Sequence, residues 1–212
     1  MVQESDSMSR LPVYLLLDTS GSMRGEPINS VNVGIRAMLD GMRHDSYALE
    51  SVSLSIITFD NEARVYLPLT PLDKVWIPDI RVPNAGATFT GAALELLLEE
   101  MERQVCKSTE ETKVSWKPLL FLMTDGAPSD LHTYRQAISR IKAHNFGMVV
   151  AYAAGPKAKI DLLKELTDHV VSLDIMDSVA FLGFLKWVSA SASTGSITAD
   201  ILHQSPIDQD KR

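Results

Sequence analysis

Cysteine is almost missing from this chain: Cys106 is the only one in 212 residues. A lone cysteine allows no intrachain disulfide and gives a thiolate zinc site no second ligand, which fits a reducing compartment. Cys106 lies in EEMERQVCKSTEE, a charged helix end, where it reads as an inert thiol. Positive charge is also scarce. Lys and Arg total 20 against 27 Asp and Glu, a formal net charge of −7, so nonspecific nucleic-acid binding is not expected. No apolar run reaches the ~18 residues that span a bilayer. The opening residues MVQESDSMSR are polar and acidic, with no small-residue cleavage site after the short run LPVYLLLD, so no signal peptide is expected and the reading is a soluble intracellular protein. Aromatic residues make up 7%, and Trp76, Trp116 and Trp187 are too widely spaced to form a stacking platform. His44, His132, His144, His169 and His203 do not cluster. Neither GxxxxGK[ST] nor GxGxxG occurs, which argues against a nucleotide-binding module.

What is present is ordinary globular material, 45% hydrophobic and 22% charged, at a length that suits one ample domain. The pattern alternates short apolar runs with longer helical stretches. Strands are expected over 13–17, 51–59, 63–69, 118–123, 147–153 and 170–173, the second with one face partly exposed because serines alternate with apolar residues. The second and third read as a hairpin through Asp60-Asn61. Helices are expected over 27–42, 90–104, 131–144 and 158–168, with a last one N-capped by Asp177 and running through about Ala190. Residues 1–10 are expected to be flexible, 11–190 to form the domain, and 191–212 to be a polar, mobile tail. This order predicts an α/β fold, a parallel or mixed sheet with helices on both faces.

In such sheets ligands bind beyond the carboxyl ends of the strands. Asp18-Thr19-Ser20-Gly21-Ser22 follows the first strand and Thr124-Asp125-Gly126 the fourth, while Gly86-Ala87-Thr88-Phe89-Thr90-Gly91 opens a helix. These donors are carboxylates and hydroxyls, a set suited to a hard divalent cation such as Mg²⁺. Asp18, Ser20 and Ser22 alternate, so a short turn aims them at one point, with Gly21 expected to supply the bend. Asp, Ser and Gly also serve as ordinary caps and turns. Three such clusters at one sheet edge are harder to explain that way. Asp130 reads as the N-cap of the following helix rather than as a ligand. The stretch from Asp73 to Ala85 leads into the Thr88 loop and is expected to lie near the same edge, where it would shape partner choice.

LLLDTSGSM, GATFTGAAL and FLMTDGAPSD, in that order, resemble a von Willebrand factor A (vWA) domain with a complete metal-ion-dependent adhesion site. The resemblance covers about Leu11 to Ala190. It implies a Rossmann-like sheet of about six strands, mostly parallel, with one antiparallel edge strand. It implies metal ligation by Asp18, Ser20, Ser22, Thr88 and Asp125, with Thr90 the alternative threonine. Mg²⁺ is the implied metal, with Mn²⁺ or Ca²⁺ as substitutes. RLPVYLLLDTSGSMRGEPI, GATFTGAAL and FLKWVSAS further resemble the TerY-like proteins, stand-alone bacterial vWA domains associated with tellurite resistance. That likeness implies a cytoplasmic, non-enzymatic interaction module that grips a partner's Asp or Glu through the metal, with a PP2C-type phosphatase and a protein kinase as partners. The last helix slides in some vWA domains, and Phe181, Leu182, Phe184, Leu185 and Trp187 would give it an apolar face here. The alternative is a Mg²⁺-dependent phosphohydrolase of haloacid-dehalogenase type. That chemistry requires a second Asp where Ser20 stands, and no Lys is clearly placed to neutralise a phosphoryl group.

Overall fold

The computed structural model describes residues 10–83, 86–105 and 116–173. The expected helix over 177–190, both terminal segments and Cys106 lie outside the described residues. Strands β1 (Leu11–Asp18), β2 (Val52–Phe59), β3 (Ala63–Pro71), β4 (Leu119–Thr124), β5 (Met148–Ala154) and β6 (Val170–Leu173) alternate with helices α1 (Glu26–Arg43), α2 (Ser46–Ser51), α3 (Thr90–Val105), α4 (Leu131–Ala143) and α5 (Ile160–Leu166). They form one sheet in the order β3-β2-β1-β4-β5-β6. Every neighbouring pair is parallel except β2 with the edge strand β3. The expected fold class therefore holds, including its single antiparallel edge.

Strand alternation divides the core into two layers. Val13, Leu15 and Leu17 of β1, with Leu119, Phe121 and Met123 of β4, pack beneath Ile28, Val31, Ile35, Met38 and Met42 of α1. Tyr14, Leu16, Leu120 and Leu122 face Leu94, Leu97 and Leu98 of α3, together with α4 and α5. Each fully buried side chain of this size contributes about 1.5–3 kcal/mol. Two tyrosines anchor the second layer. Tyr14 donates to Gln104 Oε1 at 2.7 Å and Tyr134 to the Leu162 carbonyl at 2.9 Å. Burial pushes both phenols well above the ordinary tyrosine range.

Three local expectations change. All eight residues of β2 are buried, so its serines do not mark an exposed face. Ser55 instead donates to the Leu67 carbonyl at 3.0 Å, beside an irregularity in the β2–β3 register. The short helix α2 precedes β2, started by Asp45, whose carboxylate accepts from Tyr47 N and Ala48 N. Val33, an apolar residue within the expected first helix, is 47% exposed and lies outside the buried stripe of α1.

The sheet order positions the functional edge. β1 leads to β2 on one side, and β4 then joins β1 on the other. The carboxyl ends of β1 and β4 flank a topological switch point, with Asp18 and Thr124 as the last residues of their strands.

Candidate functional site

Asp18 closes β1 and is fully buried. Its carboxylate accepts from Ser20 N at 2.7 Å and from Thr124 Oγ1 at 2.6 Å. Burial dominates its acidity and pushes the carboxyl up from 3.8 to about 6, against the pull of those donors and with a small further push from Asp125. A buried carboxylate with so few donors is one that a nearby cation would stabilise.

Ser20 is buried and Ser22 exposed. Their hydroxyls lie 3.2 Å apart, and Ser22 Oγ donates to Asp125 Oδ1 at 2.8 Å. A single chain of contacts thus links the first and last expected ligand segments. The bend differs from expectation. Gly21 does not adopt a positive φ; it opens a 3-10 turn over Gly21–Met23, stapled by Met23 N to the Ser20 carbonyl at 3.0 Å. The left-handed glycine of this loop is Gly25, at φ 88, immediately ahead of α1.

Thr88 arrives from the segment before α3 and is 7% exposed. It is held from two sides. On one, Phe89 N donates to the Asp60 carbonyl at 2.9 Å and Ala87 N to Asn61 Oδ1 at 2.9 Å, so the β2–β3 turn braces the loop. Asp60 is itself fully buried and fixed by Glu62 N and Arg64. On the other side, Thr88 N donates to Ser129 Oγ at 3.2 Å and Ser129 N to the Thr88 carbonyl at 2.8 Å. Gly126 packs so closely that a Cβ there would sit 3.1 Å from Thr88 Oγ1. The Thr88 hydroxyl therefore lies against the Asp125-Gly126 turn. Thr90 lies within α3 as its first residue, with a fully buried hydroxyl that has no hydrogen-bond partner among the described residues.

Asp130 occupies the N-cap position of α4, as expected, yet its side chain makes no cap bond to that helix. Its carboxylate instead accepts from Gly91 N at 3.1 Å and Ala92 N at 2.8 Å, capping the neighbouring α3. Thr124 fell within the expected Thr124-Asp125-Gly126 cluster and Asp60-Asn61 was the expected hairpin turn, but the bond of Thr124 to Asp18, the hold of Ser129 on Thr88 and the bracing of Thr88 by the β2–β3 turn were not expected. The types and spacing of these residues are those of any loop, and only the pairing of strand ends reveals the contacts.

The proline-containing stretch after β3 splits into two parts. Its first part is strapped to α1 on the sheet's flank, where Asn32 exchanges hydrogen bonds with the backbone of Ile80 at 2.9 and 2.8 Å. Its end reaches the functional edge, where Arg24 donates to the Pro83 carbonyl at 3.2 Å.

The assembled donors are oxygen atoms only, from Ser20, Ser22, Thr88, Asp18 and Asp125. Among the described residues, no group of three or more His, Cys, Asp or Glu could hold a metal, so a nitrogen- or sulfur-rich centre has no candidate. The oxygen set is of the kind that could hold a hard divalent cation. The fully buried carboxylate of Asp18, held by Ser20 N and Thr124 Oγ1, carries a charge that such an ion would compensate.

Comparison with known proteins bears on the fold and the family. No curated protein sequence matches the chain significantly. Proximal thread matrix protein 1 from the mussel byssus, solved with a zinc-occupied MIDAS motif, superposes at TM-score 0.58 with 17% identity, over 86% of this chain and 46% of that one. The ArnB paralog VWA2 from Sulfolobus acidocaldarius gives 0.60 with 15% identity, over 83% and 45%. A von Willebrand factor type A protein from Catenulispora acidiphila gives 0.63 with 16% identity, over 87% and 43%. The chain thus spans less than half the length of these solved chains, and at such identities the likeness concerns the fold. The sequence model of the von Willebrand factor type A domain matches residues 13–172, and the chain belongs to that family.

Proposed function

We propose that the protein is a metal-dependent protein-interaction module. In this reading the hydroxyls of Ser20, Ser22 and Thr88 hold a divalent cation, Mg²⁺ in the cell, with Mn²⁺ or Ca²⁺ as substitutes. Asp18 and Asp125 act mainly through hydrogen bonds and water. The cation supplies one thing, a concentrated positive point that an external Asp or Glu can ligate. The protein supplies the rest. Neutral hydroxyls leave the ion's charge largely unspent, and the carboxylates orient hydroxyls and water from behind. The observation that carries the reading is the contact chain Ser20–Ser22–Asp125, joined with the Asp18–Thr124 bond, which draws two distant strand ends to one point.

The likeness in RLPVYLLLDTSGSMRGEPI and GATFTGAAL supports a TerY-like role in a bacterial tellurite-resistance or stress system. A PP2C-type phosphatase and a protein kinase are then the candidate partners, and the cytoplasm the candidate location. Among the described residues no helix is long and apolar enough to cross a membrane. The phosphohydrolase alternative lacks the carboxylic acid it needs, since Ser20 stands two residues after Asp18. The test is affinity capture from lysate with Mg²⁺ or with EDTA, using wild type and Ser20→Ala. The reading expects an acidic-residue-bearing partner retained only by wild type with Mg²⁺. Retention unchanged by EDTA would overturn the metal bridge.

A further inference from the structure

The Thr88 loop and the Asp125–Asp130 loop come from different parts of the chain, yet they are zipped together along their length. Ser129 meets the backbone of Thr88 twice, through its hydroxyl and through its own N–H. Next to it, Asp130 takes Gly91 N and Ala92 N, holding the first turn of α3 to the start of α4. Tyr134 N donates to the Asp130 carbonyl at 2.9 Å, so the same residue is fixed from behind by its own helix. The clasp needs a bare backbone opposite it. A Cβ on Gly91 would lie 2.3 Å from Tyr134 N and 2.8 Å from Asp130 Oδ2.

We propose that Ser129 and Asp130 are positioning residues, which set the distance between the Thr88 hydroxyl and Asp125 and thereby the site's affinity for its cation. The inference rests on the metal-binding reading above and goes beyond it. Neither residue is among the five assigned to the ion. Each acts through Thr88, whose hydroxyl already abuts Gly126 beside Asp125. A helix cap that served α4 alone would not discriminate between the loops. This one spans them, so a looser clasp lets Thr88 drift while the Ser20–Ser22–Asp125 chain stays in place.

The test is Mn²⁺ titration of the full chain by calorimetry, with the electron-paramagnetic-resonance signal of bound Mn²⁺ as a second readout. Asp130→Ala should weaken Mn²⁺ binding at least tenfold and Ser129→Ala about threefold or more, with Ser129→Thr restoring the wild-type value. Asp45→Ala is the control, because it also removes a carboxylate that receives two backbone N–H groups, but at the start of α2 and away from the site. It should lower the melting temperature comparably and leave Mn²⁺ affinity unchanged. If Asp130→Ala does not fold, the Ser129 pair decides alone. Wild-type affinity in the Ser129→Ala and Asp130→Ala proteins, or an equal loss in Asp45→Ala, would overturn the clasp while leaving the metal site standing. Absence of Mn²⁺ binding in wild type would overturn the metal reading and the clasp together.

Discussion

Thr124 Oγ1 sits 2.6 Å from Asp18 Oδ2 and donates to it across the seam where β1 and β4 end. The same hydroxyl accepts from Gly126 N at 3.1 Å, so one side chain holds the buried carboxylate and shapes the turn that carries Asp125. Thr124→Val keeps the volume and removes both bonds. It should cost about 1–3 kcal/mol of stability, since a buried acceptor and a backbone donor lose their partner. It should also raise the Asp18 carboxyl further, so Mg²⁺ affinity measured between pH 5.5 and 8 should fall most at the acid end.

Asp18 also gives the ion-free protein a characteristic pH response. Its folded carboxyl titrates at about 6, above its ordinary value of 3.8, so between these values the folded chain holds a proton that the unfolded chain has released. This contribution is fully present below the unfolded value and is lost as pH rises through the folded one. Its full size is roughly 2–3 kcal/mol. In EDTA, urea unfolding should show this loss between about pH 4 and 6, superimposed on other titrations. Asp18→Asn should remove it and make the ion-free protein more stable at pH 7 while abolishing Mg²⁺ binding. A wild type and variant with parallel pH profiles would contradict the assignment.

Asp125→Ala should separate binding from folding. The residue is half-buried, and its described hydrogen-bond partner is the exposed Ser22. Its loss should change stability by no more than about 1 kcal/mol, as for an exposed hydrogen bond. Circular dichroism should remain that of wild type, while Mg²⁺-dependent retention of partner disappears.

The two tight glycines should behave differently. Gly91→Ala places a methyl against backbone atoms of α4 that cannot yield, and should destabilise by about 3 kcal/mol or more, at the upper end of the cost of overpacking. Gly126→Ala meets only the Thr88 side chain, tightly at Oγ1 alone, and that side chain can rotate. It should fold with a melting temperature within a few degrees of wild type, yet bind Mg²⁺ several-fold more weakly because Thr88 is displaced. Thermal melts with matched Mg²⁺ titrations distinguish the two outcomes.

The central strands were legible in the sequence because β1, β4 and β5 are continuous apolar runs, as strands covered on both faces must be. The hairpin was legible from its turn. β2 misled in one respect, because a serine that satisfies its hydroxyl on a neighbouring carbonyl looks, in sequence, like one facing water. Helix α2 was missed since six residues, SYALES, carry too little periodicity to register. At the site, the expected ligands came from residue type and spacing beyond strand ends. Thr124, Ser129 and the true target of Asp130 depend on which strand ends and loops meet, and β1 and β4 are joined by topology across a hundred residues. Asp130 is the instructive case: its N-cap position was readable, but the helix its carboxylate serves was not.

The bond between Asp18 and Thr124 joins positions separated by 106 residues. No short fragment of the chain contains both halves of this constellation, and the unfolded polymer presents nothing comparable. Whatever ion or ligand is bound there is bound by the finished molecule alone, so its concentration acts directly as a source of thermal resistance. Occupancy and nativeness become two readings of one equilibrium.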